Sequence, residues 1–477
     1  MTVQSARAVL ADCLHQTQTA IEAFQSARLR EMLALCARGH AYYRRAWQDA
    51  GIDLARIETI EDLQQLPLTP KRAMMETPEA FRLQVPDLPI EERVLWEVLY
   101  TTGTSADPTP VYNTTHDYHA YLLQSQRVAS IASIRSDDVI ANLFPLTAAP
   151  MGAFVRSATN AYAAGASIFA ALPGAKLGAF GVQRPLDHAV TAIAAQRATL
   201  LWGVPSFVRR VLLRAPEMGA DFSSVRMCVI TGEASSPAMR DELRRLMREL
   251  GTQDALVFDR YGSTELGAFA QCTEESGWHN PAPEIQYHEI VDPDNGRRLP
   301  DGERGALAVT HLNRRGTVLI RFLVGDIASI ERGPCPHCGR TGDRIIGPIV
   351  RTKDLVKVKG MLINPSTLLE ALQGVDAIDE FQVVIDRVDP NDPFSMDEMV
   401  LRIATRHADP DGVAQQALAR ARAASRVTPR VEFAPARSLY DPDSQTKASR
   451  FVDRRAALVQ ASEVHAPDPA SPSSGSA

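Results

Sequence analysis

Between Glu97 and about residue 260, short apolar and β-branched runs alternate with stretches of helical spacing, and no other feature constrains the fold as strongly. Val139 to Phe144, Ser167 to Leu172, Thr199 to Val204 and Arg226 to Thr231 read as strands. His188 to Arg197, Phe207 to Arg214 and Ala238 to Leu250 read as helices between them. Antiparallel neighbours need only a short turn, whereas parallel neighbours need a crossover of helical length. The alternation therefore predicts an α/β fold, with mostly parallel sheets flanked by helices.

The flanking regions read differently. Residues 1 to about 50 are helical in pattern, with Leu29, Met32, Leu33 and Cys36 on one face ahead of Tyr42, Tyr43 and Trp47. Ile60 to Pro67 is a short helix stopped by proline. Residues 284 to 333 place short strand-like runs between Asp-Pro-Asp-Asn-Gly and Pro-Asp-Gly turns, as in a small β-barrel or an antiparallel sheet. An α+β segment follows, and the Pro/Ser/Ala-rich tail has the composition of a disordered chain.

Charge and cysteine usage narrow the function. Lys and Arg number 51 against 57 Asp and Glu, a net charge of −6, which argues against a generally basic nucleic-acid-binding face. No apolar run approaches the roughly 18 residues of a membrane helix. The start, MTVQSARAVLADCLHQ, lacks the basic, apolar and small-residue succession of a signal peptide. A cytoplasmic protein with no nucleic-acid or membrane partner is expected. Six cysteines in this length do not make a disulfide framework. Cys13, Cys36 and Cys228 read as small buried hydrophobes, whereas Cys272, Cys335 and Cys338 lie among polar and turn residues.

Five segments carry residue types suited to phosphate and nucleotide chemistry. Tyr100-Thr-Thr-Gly-Thr-Ser-Ala-Asp-Pro-Thr109 follows the strand-like Val94 to Leu99 and offers hydroxyls and backbone N–H groups to an anion, or else is an ordinary Ser/Thr turn. It is not a Walker loop, since no Gly-Lys-Ser/Thr follows at the required spacing. Asp259-Arg-Tyr-Gly-Ser-Thr-Glu265 gathers a ring, a glycine, hydroxyls and a carboxylate able to hold Mg²⁺. Arg321 to Asp326 reads as a strand ending in Gly-Asp, whose carboxylate can accept from ribose hydroxyls. Arg351 to Pro365 and the stretch around Lys447 add basic residues in loops.

In this order the five segments resemble the adenylate-forming superfamily of acyl-CoA ligases, most closely the phenylacetate–CoA ligase branch. Tyr42-Tyr-Arg44, Leu66-Pro-Leu-Thr-Pro-Lys71, Trp202-Gly-Val-Pro-Ser-Phe207 and Thr231-Gly-Glu-Ala234 extend the resemblance over about residues 35 to 455. It implies a large adenylation domain (1–350), a hinge (351–354), a small mobile α+β C-terminal domain (355–458) and a disordered tail (459–477). It also implies ATP, Mg²⁺ and coenzyme A, and a small-molecule carboxylic acid that the branch suggests is aromatic or arylalkanoic.

The resemblance carries roles onto individual positions. Thr101, Thr102, Gly103, Thr104, Ser105, Gly232, Glu233, Asp259, Tyr261, Gly262, Asp326 and Arg351 would bind nucleotide. Tyr261 would stack near adenine, Asp326 and Arg351 would grip the ribose, Thr264 would contact the α-phosphate and Glu265 would hold Mg²⁺. Lys447 would bridge the carboxylate and α-phosphate oxygens. Lys353 would sit in the hinge, with a solvated linker residue as the plainer reading, and Lys359 and Gly360 would line the pantetheine tunnel. Phe144, Trp202, Val204, Gly232 and Phe258 are the candidates for the acid pocket, at sheet edges facing the nucleotide.

One departure weakens the phosphate loop. Where the family has Gly-Lys-Pro, this chain has Ala106-Asp107-Pro108, replacing a cation with a carboxylate; Lys71 and Arg260 are the bases that could stand in. Cys272, His279, Cys335 and Cys338 would satisfy a closed, structural Zn²⁺ site, with His337 as the rival imidazole and metal-free thiols as the other reading. Two alternatives to the ligase stay open: adenylation with an amine, carrier-protein thiol or other small nucleophile as acceptor, and a catalytically silent nucleotide-binding relative. Oligomeric state also stays open, with a homodimer as one arrangement.

Overall fold

The alternating segment forms a five-stranded parallel sheet in the computed structural model, which describes residues 13–101, 108–145, 152–173, 185–233, 235–351, 356–358, 361–375, 377–389, 395–443 and 447–455. Before it come helices α1 (Gln18–Gly39) and α2 (Ala41–Asp49), a hairpin of β1 (Leu95–Tyr100) and β2 (Pro110–Thr114), and helix α3 (Thr115–Ile131). The parallel strands are β3 (Val139–Asn142), β4 (Ser167–Ala170), β5 (Leu200–Gly203), β6 (Met227–Ile230) and β7 (Leu256–Asp259), in the spatial order β4-β3-β5-β6-β7. Helices α4 (Gly152–Ala164), α5 (Leu186–Ala195), α6 (Pro205–Glu217) and α7 (Pro237–Glu249) alternate with them. Every residue of β5 and β6 is buried, which is why Leu-Leu-Trp-Gly and Met-Cys-Val-Ile read as continuous apolar runs rather than alternating ones. Pro205 and Pro237 sit at the starts of α6 and α7, where a missing N–H leaves no helical bond unmade.

The order of the strands creates a crevice. From β3 the chain crosses to β4 on one side, then returns to place β5 on the other side of β3. Connections leaving β3 and β5 therefore diverge, and the gap outside their carboxyl ends is where α/β sheets bind ligands. Leu143 to Pro145 and Val204 border that gap.

Two short hairpin strands, β8 (Gly262–Ser263) and β9 (Gly267–Ala268), lead into an antiparallel sheet. It comprises β10 (Trp278–His279), β11 (Gln286–Val291), β12 (Gly305–His311), β13 (Phe322–Arg332) and β14 (Asp343–Arg351), ordered β10-β14-β13-β12-β11. Of the two forms expected for residues 284 to 333, this is the open antiparallel sheet and not a closed barrel: among the described residues, β10 and β11 are its outermost strands and do not pair with each other. The apolar face is covered instead of curling on itself. Leu29, Met32, Leu33 and Cys36 from α1 and Tyr43 and Trp47 from α2 pack with Tyr287, Leu307, Val309, Phe322 and Ile345 in one core. Arg321 anchors the same junction, with Nε 2.8 Å from Glu289 Oε1 and Nη1 2.7 Å from the Leu66 carbonyl oxygen.

The segment from Arg321 to Asp326 departs from its sequence reading. Arg321 has φ of +47° and lies outside the strand, and β13 does not end at Gly325-Asp326 but runs on to Arg332. Ala328, Ser329 and Ile330 continue the burial, so Asp326 is a mid-strand residue facing Arg351 of β14. Cys13 also departs: it is half-buried beside Glu284, with its thiol pushed up to about 12 by burial first and by the carboxylate second. Cys36 and Cys228 are core residues as read.

Cα packing divides the chain into two units, Met1–Lys353 with Pro442–Lys447, and Asp354–Asp441 with Ala448–Ala477. In the second unit, β15 (Val356–Val358) and β16 (Met361–Ile363) form a hairpin. A mixed sheet is ordered β19-β18-β17-β20, from β17 (Glu380–Arg387), β18 (Asp397–Ala404), β19 (Arg430–Phe433) and β20 (Phe451–Asp453). Helices α8 (Pro365–Gln373) and α9 (Pro410–Ser425) supply Leu368, Leu372, Val413 and Ala417 to its core. No helix among the described residues is long and apolar enough to cross a membrane.

Candidate active site

The ends of β5, β6 and β7 bring together several residues singled out from the sequence. Thr231 Oγ1 donates to the Arg260 carbonyl at 2.7 Å, tying the segments after β6 and β7 together. Gly232 follows at φ +85°, and a Cβ there would lie 3.4 Å from Lys447 Nζ and 3.5 Å from Val204 Cγ1. Only glycine adopts that backbone without strain and leaves the lysine its approach. Lys447 Nζ donates to the Gly232 carbonyl at 2.7 Å. Burial first, then the Arg351 cation, lowers the ammonium pKa, while Glu233 acts in the opposite sense. Glu233 itself is committed to a helix: its carboxylate accepts from Ser206 N at 3.1 Å and Ser206 Oγ at 2.8 Å, at the start of α6. A carboxylate in that place meets orphan N–H groups and the positive end of the helix.

The Asp259–Glu265 stretch turns from the parallel sheet toward the antiparallel one. Burial pushes Asp259 up to about 7, against the opposing pull of Arg240 and the Arg260 N–H, and its carbonyl accepts from Trp278 Nε1 at 3.1 Å. Tyr261 Oη donates to Asp326 Oδ2 at 2.6 Å, and Arg351 Nε lies 3.7 Å from Asp326 Oδ1. Burial and the neighbouring Asp326 and Glu265 carboxylates raise the Tyr261 pKa well above its ordinary value, so the phenol stays a donor. Gly262 passes directly over the Gly267 carbonyl, leaving no room for a side chain. Thr264 is half-buried in the turn between β8 and β9. Glu265 is buried, yet Lys71 and the Ser263 hydroxyl outweigh burial and hold it below the ordinary carboxylate range. Lys71 Nζ is 3.1 Å from Glu265 Oε1 and donates to the Val324 carbonyl at 3.3 Å.

Of the two bases considered as stand-ins in the phosphate loop, only Lys71 meets this carboxylate. Arg260 turns away from Tyr261 toward Asn160 and the Trp202 ring. Lys71 Nζ meets a carboxylate far along the chain, a pairing that neither local sequence announces. Thr101 closes the neck of the β1–β2 loop, accepting from Thr109 N at 3.1 Å through Oγ1. Thr102, Gly103, Thr104, Ser105 and Asp107, together with Lys353, Lys359 and Gly360, lie outside the described residues. Phe144, Trp202, Val204 and Phe258 all belong to the buried apolar core at the carboxyl edge of the parallel sheet.

Cys272, His279, Cys335 and Cys338 converge from β10, the segment before it and the turn between β13 and β14. Cys272 Sγ is 3.8 Å from Cys335 Sγ, Cys338 Sγ is 3.8 Å from His279 Nε2, and all four donor atoms lie within 4.8 Å of one another. Sulfur ligands about 2.3 Å from a tetrahedral ion are about 3.8 Å apart, so the donor set has the dimensions of such a site. His337 is exposed and outside the group. Burial, with Arg344 and Arg340 nearby, pushes His279 down to about 4, leaving a neutral imidazole able to ligate.

A parallel-sheet crevice with a Tyr261–Asp326–Arg351 set, and a lysine delivered from late in the chain, fits the class of adenylate-forming, AMP-forming ligases. The chain belongs to the AMP-binding enzyme family, whose model matches residues 48–313. It is similar to the phenylacetate-coenzyme A ligase of Thermus thermophilus, 25% identical over 374 residues that cover 77% of this chain and 78% of that protein. The Escherichia coli phenylacetate-coenzyme A ligase is 25% identical over 366 residues, covering 74% and 76%. In fold it resembles a 2-hydroxyisobutyryl-CoA ligase solved in the postadenylation state with R3-HIB-AMP. There the TM-score is 0.77 at 23% identity, over 95% of this chain and 94% of that one.

Proposed function

We propose that this chain is an ATP-dependent acid–CoA ligase acting on an aromatic or arylalkanoic acid. The observation that carries the reading is a continuous charged set within one unit: Lys71–Glu265, Tyr261–Asp326–Arg351 and Lys447 at the Gly232 carbonyl. The named activity of the Thermus and Escherichia relatives supports the acceptor and the acid class.

In the first step an oxygen of the acid's carboxylate attacks the α-phosphorus of ATP, and the bond to the β-phosphate oxygen breaks. Acyl-AMP forms and pyrophosphate leaves. Both reactants are anionic, so a cation fixed near the reacting oxygens lowers the barrier, the role assigned to Lys447. Thr264 is assigned to the α-phosphate, and Tyr261, Asp326 and Arg351 to the adenosine. Glu265, held ionised, would hold magnesium, which when bound offsets triphosphate charge. Lys71 beside it would then be freed to meet the phosphates and to offset Asp107. In the second step the thiolate of coenzyme A attacks the acyl carbon and AMP leaves. Lys353 is assigned to the hinge, and Lys359 and Gly360 to the pantetheine tunnel, on resemblance. The Cys272–His279–Cys335–Cys338 group is assigned a structural zinc, supported by its donor spacing and buried, neutral imidazole.

A panel of carboxylic acids incubated with ATP and Mg²⁺, with and without coenzyme A, tests the reading. Acid-dependent pyrophosphate and an acyl-CoA mass are expected, with phenylacetate among the substrates. Acyl-AMP without acyl-CoA would transfer the assignment to a different acceptor, and nucleotide binding without pyrophosphate would leave a silent relative.

A further inference from the structure

A buried cation that meets no counter-charge among the described residues stands at the end of β7. Arg260 is 5% exposed, and among the described residues its Nε has no hydrogen-bond partner. Among the described residues no carboxylate pairs with it; its titratable neighbour is the Tyr121 phenol, which burial keeps protonated and uncharged. The other interior arginines are treated differently: Arg321 meets Glu289, Arg127 meets Glu284 and Arg156 meets Glu97. Burial moves Arg260 down only to about 10, so it remains a guanidinium at neutral pH. An uncompensated interior charge is among the least favourable features a fold can carry, and one is expected where a ligand completes it.

The guanidinium is also held in place. Its Cζ lies over the Trp202 ring, 4.4 Å from the centroid, and Nη2 donates to Asn160 Oδ1 at 3.2 Å. Asn160 is fixed in turn, its Nδ2 donating to Tyr121 Oη at 3.3 Å and to the Arg156 carbonyl at 2.7 Å. The Trp202 contact and the Asn160 bond fix the guanidinium, with its buried Nε left without an acceptor among the described residues, and a guanidinium is the side chain best matched to a carboxylate. Tyr261 runs to Asp326 while Arg260 runs to Trp202, so neighbouring residues serve opposite sides of the β7 terminus. The Arg260 side is that of Trp202 on β5, the strand that borders the sheet crevice.

We propose that Arg260 recognises a second carboxylate carried by the acid substrate, so that the enzyme activates one end of a dicarboxylic acid. The assignment rests on the ligase reading and adds the chemistry of the far end of the acyl group. A site built around a buried donor discriminates strongly against analogues lacking the matching acceptor.

Two matched pairs test it: phenylacetate against 4-carboxyphenylacetate, and hexanoate against adipate, each by acid-dependent pyrophosphate release. The wild-type kcat/KM is expected to favour the diacid by about 100-fold in one pair. Which pair carries the preference distinguishes an aromatic from an aliphatic skeleton. Arg260→Met should abolish or invert the preference, and Arg260→Lys should retain part of it. Should Arg260→Met fail to fold, the wild-type ratio and the lysine variant still decide. Equal use of mono- and diacid by the wild type, or an unchanged ratio in Arg260→Met, overturns the assignment while leaving the ligase reading intact. Absence of pyrophosphate with every acid overturns both.

Discussion

A lysine ammonium 2.7 Å from a backbone carbonyl, lowered in pKa by burial and a neighbouring arginine, is a group waiting for a stronger acceptor. If Lys447 serves the adenylation transition state, its loss should fall on that half-reaction alone. Lys447→Ala is expected to slow acyl-AMP formation by about 10²-fold or more, the scale of losing one oriented donor. Thioester formation from supplied acyl-AMP should change only a few-fold. Equal losses in both half-reactions would count against the role. The residue types at Tyr261, Glu265, Asp326 and Lys447 were legible because each sits in a short local pattern. The Lys71–Glu265 pair and the orphaned Arg260 were not, because side-chain direction and partners 194 positions apart are decided by packing.

His40 offers a residue-scale test of the fold itself. It is fully buried, its Nδ1 accepts from Tyr43 N at 3.2 Å and its Nε2 lies 3.2 Å from the Val318 carbonyl, so the neutral ring satisfies both neighbours. Burial lowers its pKa to about 4 from an ordinary 6.5. Below pH 6.5 the unfolded chain takes up the proton first, so folded-state stability declines as pH falls and the effect levels off below about pH 4. The contribution lost across that window is roughly 3 kcal/mol. Urea midpoints of the wild type and His40→Gln should therefore converge from pH 7 toward pH 4. A gap that stays constant would show that His40 titrates normally.

Among elements, the parallel strands were read closely because doubly covered strands are apolar along their whole length, and helices between them begin with Pro205 or with Ser236 and Pro237. Asp326 reads as a strand end in sequence because Gly-Asp has the composition of a turn, yet the apolar residues beyond it keep β13 within the sheet. The start of α6 joins element to site through Glu233. Glu233→Ala removes the carboxylate that accepts from Ser206 N and Oγ, and should cost about 1 kcal/mol, read as a lower unfolding temperature. It also removes the neighbour that raises the Lys447 pKa. Since the ammonium form is the active one in the proposed mechanism, the alkaline limb of the adenylation pH profile should move to lower pH. A stability loss with an unmoved limb would separate the cap from any influence on the lysine.

The molecule as a whole buries its antiparallel sheet under α1 and α2, which is why a barrel-like turn pattern produced an open sheet: periodicity in 284 to 333 reports strands, and only the distant Leu29, Tyr43 and Trp47 decide what covers them. The cysteine–histidine group lies at the opposite economy of scale, where four side chains tie three stretches of that sheet region at one point. Residue spacing made the Cys335–Cys338 pair legible, while its pairing with Cys272 and His279 depends on β10 lying beside β14. A closed site of this donor type binds zinc tightly, and its binding free energy is folding free energy. Metal analysis of protein purified without chelator should give one zinc per chain. Cys335→Ser should lose the metal and unfold at lower urea concentration, and chelator treatment of the wild type should produce the same shift, reversed by added Zn²⁺. Lys447 and Glu265 bond to Gly232 and Lys71 and not to the four donors, so the metal-free protein that remains folded should still release pyrophosphate. Wild-type protein that is metal-free as purified and indifferent to both zinc and chelator would leave the four side chains as reduced thiols and a neutral imidazole.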